Sequence, residues 1–191
     1  MAKDILRIAI TGPESTGKSM LASQLADYYQ TTFVDEYART YINDLKRPYQ
    51  EHDILQIAQG QLVQEQAMSR KANQLLFCDT ELTVCKIWSE VKYKRCHQWI
   101  DDQLINHIYP LYLLMDIDLE WHDDPQREHP HLREYLFGLY RSNLLARRVN
   151  FKIVSGIDKN RLLCAVNHIE EFLADNRPFQ IPNTPQLTDK L

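Results

Sequence analysis

The stretch from Ile5 to Ser19, ILRIAITGPESTGKS, limits the possible folds of this chain more than any other stretch. The apolar run Ile5–Ile10 predicts a buried strand that stops at Thr11. Residues 12–19 then fit the pattern G-x-x-x-x-G-K-[ST] without a gap, and the apolar spacing of residues 20–26 predicts a helix behind them. A strand, a glycine loop and a helix in this order are the context that a phosphate-binding loop requires.

Each residue type in this loop has a physical role. Gly12 and Gly17 permit backbone torsions and a close approach that a Cβ would obstruct, so that successive N–H groups can turn toward a phosphate. Lys18 can reach the β- and γ-phosphates, and the Ser19 hydroxyl can ligate Mg²⁺. Only five glycines occur in the chain, and two of them stand in the required positions, which argues against a chance turn. We therefore predict a nucleoside-triphosphate site that binds ATP through Gly12, Pro13, Glu14, Ser15, Thr16, Gly17, Lys18, Ser19 and Met20.

Length and composition narrow the class of protein. We expect one domain over residues 1–176 and a proline-containing tail over 177–191. A content of 44% hydrophobic and 25% charged residues is typical of a soluble globular protein. The net charge of −4 predicts no nucleic-acid partner, and the lack of a long apolar run predicts no membrane partner. Four cysteines without a C-x-x-C pair favour free thiols and a cytoplasmic location, and the oligomeric state is left open.

The rest of the chain alternates between strand and helix patterns. This alternation predicts an α/β protein with the P-loop NTPase fold, in which a parallel sheet of about five strands carries helices on both faces. Further strands are predicted at 31–35, 75–79, 111–115 and 151–156. Helices are predicted at about 18–30, from 37 to the break at Arg47-Pro48, at 53–72 with Asp53 as the cap, and at 81–93, 96–108, 131–149 and 158–175.

Two predicted strands end in acidic residues. In an open α/β sheet, ligands bind outside the carboxyl ends of the strands, so these residues should face the phosphate loop. Asp35, Glu36 and Arg39 follow the second strand and predict a catalytic and substrate-binding corner rather than a solvated turn. Asp79 ends the apolar run Leu75–Cys78, which is the pattern of an acid that holds Mg²⁺. The same Asp79 can also be the N-cap of the next helix.

Residues 120–130 form a polar stretch with two prolines and no periodicity. We predict a lid here, and residues 118–133 are called the lid segment below. Arg127 and Arg133 would close over the phosphates and stabilise the charge that develops during phosphoryl transfer. The alternative is a surface loop with ordinary arginines.

Three classes of nucleotide-binding protein compete: a small-molecule kinase, a switch or motor, and a binding module without turnover. The guanine motif N-K-x-D is missing, since the nearest stretch, Asp158–Arg161, has the wrong order. Motors and AAA-type ATPases usually need a larger body. A compact chain with a late arginine-bearing lid favours a kinase, which must exclude water during transfer.

The ordered set of motifs resembles the ribosylnicotinamide kinase domain of the NadR-type NAD-salvage family, from about Leu6 to Leu173. The resemblance is carried by the phosphate loop, Glu36-Tyr37-Ala38-Arg39, Asp79-Thr80-Glu81 with Trp88 later in that helix, and Trp121…Asp124-x-x-Arg127 with Arg133. In that family the kinase often follows a nucleotidyltransferase domain, and we expect here a stand-alone kinase or a relative with an altered substrate.

The resemblance implies transfer of phosphate from ATP to nicotinamide riboside, giving nicotinamide mononucleotide. It implies Mg²⁺ at Ser19 and Asp79, with Lys18, Arg127 and Arg133 on the phosphates. The ribose 5′-hydroxyl needs a carboxylate within hydrogen-bond reach; Glu36 is the first choice and Asp35 the alternate. The nucleoside substrate would contact Glu36, Tyr37, Arg39, Asp79 and Trp88. A P-loop ATPase or an ATP-sensing module without transfer is the alternative function.

Overall fold

The computed structural model describes residues 5–176, and the predicted tail 177–191 lies outside the described residues. Five strands alternate with seven helices in this part of the chain, as predicted. The strands are β1 (Leu6–Thr11), β2 (Thr32–Val34), β3 (Leu75–Asp79), β4 (Leu111–Met115) and β5 (Phe151–Val154). The helices are α1 (Lys18–Tyr28), α2 (Tyr37–Asp44), α3 (Glu51–Ser69), α4 (Leu82–Tyr93), α5 (Gln98–Asn106), α6 (Arg133–Ala146) and α7 (Lys159–Asp175), with a 3₁₀ turn at Pro130–Leu132.

The strands form one sheet in the order β2-β3-β1-β4-β5, and each neighbouring pair is parallel. The central strand β1 pairs with β3 on one side, where Ile8 lies opposite Phe77, and with β4 on the other, where Ile8 lies opposite Leu111. All carboxyl ends therefore meet at one edge of the sheet. The loop after β1 lies between the ends of β3 and β4, which is where a phosphate loop meets the other ligand-binding strand ends.

Apolar residues cover both faces of the sheet, because alternate side chains of each strand point to opposite sides. Ile8 and Ile10 of β1 pack with α1 and α7, whereas Ala9 packs with the core under α6. A third cluster joins α2, α3, α4 and α5 beyond the sheet edge, with Ile54, Leu82 and Ile100 among its members. The predicted parallel sheet with helices on both faces is confirmed.

The start of α3 corrects one detail. Gln50, and not Asp53, is the N-cap, and Asp53 stands at the third helical position of a capping box. Its carboxylate accepts a hydrogen bond from Gln50 N at 2.7 Å and forms two hydrogen bonds with Arg47, at 2.7 and 2.9 Å. An acid three residues inside a helix can satisfy the N-cap amide in this way, so its pattern in the sequence resembles that of a cap.

The start of α4 settles the second role considered for Asp79. Glu81 is the N-cap of α4, and its carboxylate accepts a hydrogen bond from Thr83 N at 2.8 Å. Asp79 therefore remains the last residue of β3, with its carboxylate free of a capping contact. Separately, no helix within residues 5–176 has the length and apolar character needed to cross a membrane.

Candidate active site

The phosphate loop connects β1 to α1, and its geometry explains both glycines. Gly12 has φ +135°, and a Cβ there would lie 3.1 Å from the carbonyl oxygen of Met115 at the end of β4. Gly17 has φ +78° and is the N-cap residue of α1. Side chains rarely tolerate positive φ, and the contact with β4 leaves no room at Gly12. The loop thus keeps its backbone N–H groups at the helix N-terminus available for an anion.

Lys18 folds back over the loop. Its Nζ donates hydrogen bonds to the carbonyl oxygens of Gly12 at 3.0 Å and Pro13 at 2.8 Å. Burial lowers the pKa of Lys18, and the carboxylates of Glu36, Asp79 and Glu14 oppose that shift in this order. The ammonium therefore lies among acidic side chains at the carboxyl edge of the sheet.

A cavity of about 960 Å³ opens between the loop, the start of α2 and the lid segment. Most of the predicted site residues line it, although they come from distant parts of the chain. They are the whole stretch 12–20 together with Asp35, Glu36, Arg39, Asp79, Trp88 and Arg127. The structure thus brings the predicted ATP, magnesium and acceptor groups to one place.

Two predicted residues lie outside the cavity lining. The ring of Tyr37 packs on Gly60 of α3, so closely that a Cβ on that glycine would lie 2.0 Å from Tyr37 Cε1. Arg133 lies outside the cavity lining and contacts the backbone of the phosphate loop. It donates hydrogen bonds to the carbonyl oxygens of Leu119 at 2.8 Å and Ser15 at 3.2 Å. Tyr37 therefore supports the fold of α2 against α3, and Arg133 holds the loop backbone.

Asp79 provides a test of whether the site suits a divalent cation. Its side chain is buried, and Oδ2 has no hydrogen-bond partner within the described residues. Burial and the nearby Glu36 raise the pKa of Asp79 to about 6, against the effects of the Ser19 hydroxyl and Lys18. A buried carboxylate oxygen without a partner, beside a serine hydroxyl and a phosphate loop, is a donor set that fits Mg²⁺.

A Mg²⁺ site of this kind does not need a full cage of protein ligands. Within residues 5–176 no cluster of three or more histidine, cysteine, aspartate or glutamate side chains has the arrangement of a metal site. Mg²⁺ is commonly held by one or two protein groups and by substrate phosphates rather than by a full protein cage. Ser19 and Asp79 would be those protein groups.

Glu36 is the N-cap residue of α2 and lines the cavity. Its Oε2 accepts a hydrogen bond from Arg39 Nε at 3.1 Å, and 21% of its side chain is exposed. Among the charged groups that act on the pKa of Lys18 and on that of Asp79, Glu36 has the largest effect in both cases. Its carboxylate is therefore close to both the phosphate lysine and the candidate metal ligand.

Asp35 also lines the cavity but is exposed. Its carbonyl oxygen accepts hydrogen bonds from Gln61 Nε2 at 3.3 Å and Gln64 Nε2 at 3.1 Å, so its backbone is fixed against α3. Asp35 is not among the main groups that shift the pKa of Lys18 or of Asp79. Glu36, which is less exposed than Asp35, is therefore the acid of this pair that acts on the pKa of both Lys18 and Asp79.

The lid segment lies against the phosphate loop. Ser15 Oγ accepts hydrogen bonds from His122 N at 2.9 Å and from Arg127 Nη1 at 3.3 Å. Glu14 Oε2 accepts hydrogen bonds from the backbone N–H groups of Glu128 at 3.1 Å and His129 at 3.2 Å. Arg127 is therefore held beside the phosphate loop, where its guanidinium could donate hydrogen bonds to the oxygens of a bound phosphate.

The lid segment also contacts the opposite wall of the cavity, which sequence reasoning missed. Tyr49 OH donates to Glu128 Oε1 at 2.7 Å and accepts from Trp88 Nε1 at 2.9 Å. Lys92 Nζ lies 3.8 Å from the Tyr49 ring centroid and 3.0 Å from Glu128 Oε1. Tyr49 follows a helix break without any motif around it, so no sequence signal marks it.

A second missed group lies at the far end of the loop, near β5. Arg161 is 5% exposed, donates to Val154 O at 3.1 Å and pairs with Asp118. Ile157 and Asp158 line the cavity beside it. The position of Asp118 just after β4 is a signal that could have found this group, because it follows the same strand-end rule that pointed to Asp35 and Asp79.

The parallel sheet and the loop at its centre together define a class: this is a P-loop nucleotide-binding protein with a kinase-like fold. The family follows from the sequence, because residues 7–161 match the model of the AAA domain family, and the chain belongs to that family.

Individual relatives agree with the resemblance to NadR. The trifunctional NAD biosynthesis/regulator protein NadR of Salmonella typhimurium is 25% identical over 126 residues, which cover 63% of this chain and 30% of NadR. A crystal structure of NadR in complex with NR superposes with a TM-score of 0.76 at 17% identity, covering 94% of this chain and 52% of that one. The chain thus spans about a third of the curated relative and about half of the solved one.

The kinase-like character of the fold is seen in a structure of similar size. Deoxyadenosine kinase from M. mycoides, with products bound, has a TM-score of 0.62 at 14% identity. The match covers 87% of this chain and the whole of that kinase. At this identity the likeness concerns the fold, and it confirms the predicted P-loop kinase-like architecture.

Proposed function

We propose that this chain is an ATP-dependent kinase that transfers the γ-phosphate to the ribose 5′-hydroxyl of nicotinamide riboside, giving nicotinamide mononucleotide and ADP. The observation that carries this proposal is the position of Glu36. Its carboxylate shares one cavity with Lys18 and Asp79, and among the charged groups it has the largest effect on the pKa of each. A nucleotide-binding site with a carboxylate opposite the phosphate groups has what transfer to a hydroxyl requires.

The acceptor hydroxyl would lie between Glu36 and the γ-phosphate. Its oxygen forms the new bond to phosphorus, its proton passes to the Glu36 carboxylate, and the bond from the γ-phosphorus to the ADP oxygen breaks. Arg39 occupies Oε2 of Glu36, and Oε1 makes no hydrogen bond within the described residues. One oxygen is therefore oriented and the other is available to the hydroxyl.

The phosphates would lie along the loop amides, with Lys18 exchanging its contacts to Gly12 and Pro13 for phosphate oxygens. Arg127 would add positive charge from the lid segment, since it already lies at Ser15. Ser19 and Asp79 would hold Mg²⁺, which when bound neutralises charge on the β- and γ-phosphates.

Two features support nicotinamide riboside as the acceptor. NadR, the relative described above, is known in complex with NR. The cavity lining also contains the indole of Trp88. The nicotinamide ring of the riboside carries a positive charge, and the face of an indole attracts a cation more strongly than a neutral base.

The test is ADP release with Mg-ATP against a panel of nucleosides, with a control that lacks an acceptor. We expect release with nicotinamide riboside and detection of its mononucleotide. Release with another nucleoside would keep the kinase and change the substrate. Equal release without any acceptor would favour the ATPase alternative, and no release would favour the ATP-sensing module.

Two variants assign the roles of single residues in the same assay. Lys18→Ala should lose nucleotide binding and all activity. Glu36→Gln should still bind ATP but should lower kcat by about 10²–10⁴-fold, because a positioned general base contributes that much. Asp35→Asn is the matched control, since it changes the neighbouring acid in the same way. Full turnover by Glu36→Gln would show that Glu36 is not the base.

A further inference from the structure

Arg39 connects the lid segment to Glu36. Its Nε donates to Glu36 Oε2 at 3.1 Å, and its Nη1 donates to Asp124 Oδ2 at 2.9 Å. One planar guanidinium thus holds a carboxylate of α2 and a carboxylate of the lid segment at once. Because the donors of a guanidinium have a fixed relative geometry, fixing one carboxylate constrains the orientation of the other.

The pair of Arg39 and Glu36 needs this second contact. The two residues are three positions apart at the start of α2, and the Arg39 side chain is 42% exposed. A partly exposed ion pair of this spacing on a helix is weak and leaves both side chains free to change rotamer. Asp124 removes that freedom, because it binds the Nη1 end of the same guanidinium.

Asp124 is itself held in place within the lid segment. Its Oδ1 accepts a hydrogen bond from Gln126 N at 2.9 Å. The side chain of Gln126 then donates to Arg39 O at 3.3 Å and to Asn43 Oδ1 at 2.8 Å. The hydrogen bonds from Gln126 and Arg39 also lower the pKa of Asp124, so its carboxylate stays charged at neutral pH. The segment therefore binds α2 at several points, with Asp124 directed at Arg39.

We propose that Asp124 is a positioning residue: when the lid segment lies on α2, Asp124 holds Arg39 so that Glu36 presents its free oxygen to the acceptor hydroxyl. The inference rests on the proposed function for the role of Glu36 as the base. Its consequence is that the base is fully oriented only in the closed state, when the lid covers the acceptor and the phosphates.

The experiment compares Asp124→Asn with Asp123→Asn in the nucleoside kinase assay. Asp123 is the matched control, because it lies next in the chain, outside the cavity lining, and its carboxylate accepts only from the Trp121 indole, at 2.8 Å, among the described residues. We expect Asp124→Asn to lower kcat at least tenfold with the KM for ATP changed less than twofold. Asp123→Asn should behave as the wild type, and Asp124→Glu should recover part of the lost kcat.

A double variant separates positioning from a general structural role. If Asp124 acts through Glu36, adding Asp124→Asn to Glu36→Gln should cause little further loss of kcat, because the group to be oriented is already absent. Thermal unfolding of each variant confirms that the protein is folded, and Asp124→Glu provides the measurement if Asp124→Asn is not. Faster hydrogen exchange of residues 36–44 in Asp124→Asn with Mg-ATP would support the loss of the anchor.

The outcomes are distinct. A wild-type kcat for Asp124→Asn, or an equally large loss in the Glu36→Gln background, overturns the positioning role while the kinase stands. A wild-type protein that transfers phosphate to no nucleoside overturns the proposed function, and the positioning role with it. A loss of kcat that disappears in the Glu36→Gln background supports both.

Discussion

Asp79 is a buried carboxylate whose charge opposes folding. Burial and the neighbouring Glu36 raise its pKa to about 6, above the ordinary value of 3.8 for an aspartate. Because the pKa is higher in the folded than in the unfolded state, ionisation of Asp79 destabilises the folded protein. This destabilisation is present at pH 7 and disappears as the pH falls through 6 toward 4. A cation bound by Asp79 would remove this destabilisation, because it would compensate the buried negative charge.

We therefore expect Asp79→Asn to raise the free energy of unfolding at pH 7 by about 3 kcal/mol in the nucleotide-free protein, since the pKa rises by about two units and each unit corresponds to about 1.4 kcal/mol. The gain should shrink steadily between pH 7 and pH 4. Urea unfolding at several pH values measures it.

Asp102→Asn, at an exposed position of α5, is the matched control for this measurement. The same Asp79→Asn protein should lose the stabilisation that Mg²⁺ adds to ATP binding. A gain in stability that is the same at pH 4 and pH 7 would contradict the raised pKa.

At the scale of single residues, the phosphate-loop motif indicates the role of its lysine but not which side chains from other strands lie beside it. The pattern of residues 12–19 predicts a lysine on phosphate whatever surrounds it, because loop geometry is local. That Glu36 acts on both Lys18 and Asp79 depends on β2 lying beside β3 in the sheet. Tyr37, adjacent in sequence to Glu36, points away from the cavity and packs on Gly60.

At the scale of elements, two glycines inside helices differ in the space available for a side chain. Glycine lowers the stability of a helix interior, so a packing requirement is one possible reason for its presence. Gly60 of α3 lies under the ring of Tyr37, which also lies 6.1 Å from the Tyr41 ring. Gly138 of α6 has no atom within 4 Å of the position a Cβ would take. Only Gly60 is required by packing.

This contrast predicts opposite results for the same substitution. Gly138→Ala should raise the free energy of unfolding by about 0.5–1 kcal/mol, because alanine favours the helix and nothing obstructs it. Gly60→Ala should lower it by about 1–3 kcal/mol, because the Tyr37 ring must move. Chemical denaturation measures both, each as the control for the other. A stabilising Gly60→Ala would show that the ring adjusts freely.

The boundaries of elements show a similar division between local and tertiary causes. The strand β4 was predicted with its observed bounds, 111–115, because a buried parallel strand reads as one apolar run. The sequence pattern predicts the cap of α3 at the wrong residue, since Asp53 reaches back to Gln50 and also binds Arg47 and Tyr41. The position of Asp53 in the sequence does not distinguish an N-cap residue from an acid inside the helix that binds several partners.

At the scale of the whole molecule, one residue of the lid segment contacts both walls of the cavity. The backbone N–H of Glu128 donates to Glu14 of the phosphate loop, and its carboxylate accepts from Tyr49 and Lys92 on the opposite wall. This wall, formed by Tyr49, Trp88 and Lys92, is called the acceptor wall because the acceptor is proposed to bind there. Tyr49 in turn accepts from Trp88 of α4. Glu128 therefore connects the phosphate loop to Tyr49 and Lys92 across the cavity, and we infer that it couples the two walls.

We expect Glu128→Gln to weaken the attachment of the lid segment to the acceptor wall while leaving its backbone contact with Glu14. The KM for the acceptor should rise several-fold with little change in the KM for ATP, and limited proteolysis should cut within 118–133 more rapidly. Glu134→Gln, an exposed neighbour at the start of α6, is the matched control. Equal proteolysis rates in the two variants would contradict the coupling.

The sequence by itself determined the phosphate loop, the alternation of strands and helices, the acidic strand ends and the polar, non-periodic stretch between β4 and α6. These depend on interactions between residues close in the chain, such as glycine torsions, apolar periodicity and capping, so they can be read locally.

The tertiary structure decided the rest: the strand order β2-β3-β1-β4-β5, the nearness of Glu36 to Lys18 and Asp79, and the contacts of Asp124 and Glu128 across the cavity. Arg39 and Asp124 are 85 positions apart, and Tyr49 and Glu128 are 79 apart. Pairs so distant in sequence meet only because the sheet brings its carboxyl ends to one edge and the chain returns over that edge between β4 and α6. The local sequence thus indicates the chemistry of each residue, whereas the packing of the whole domain determines which residues it contacts.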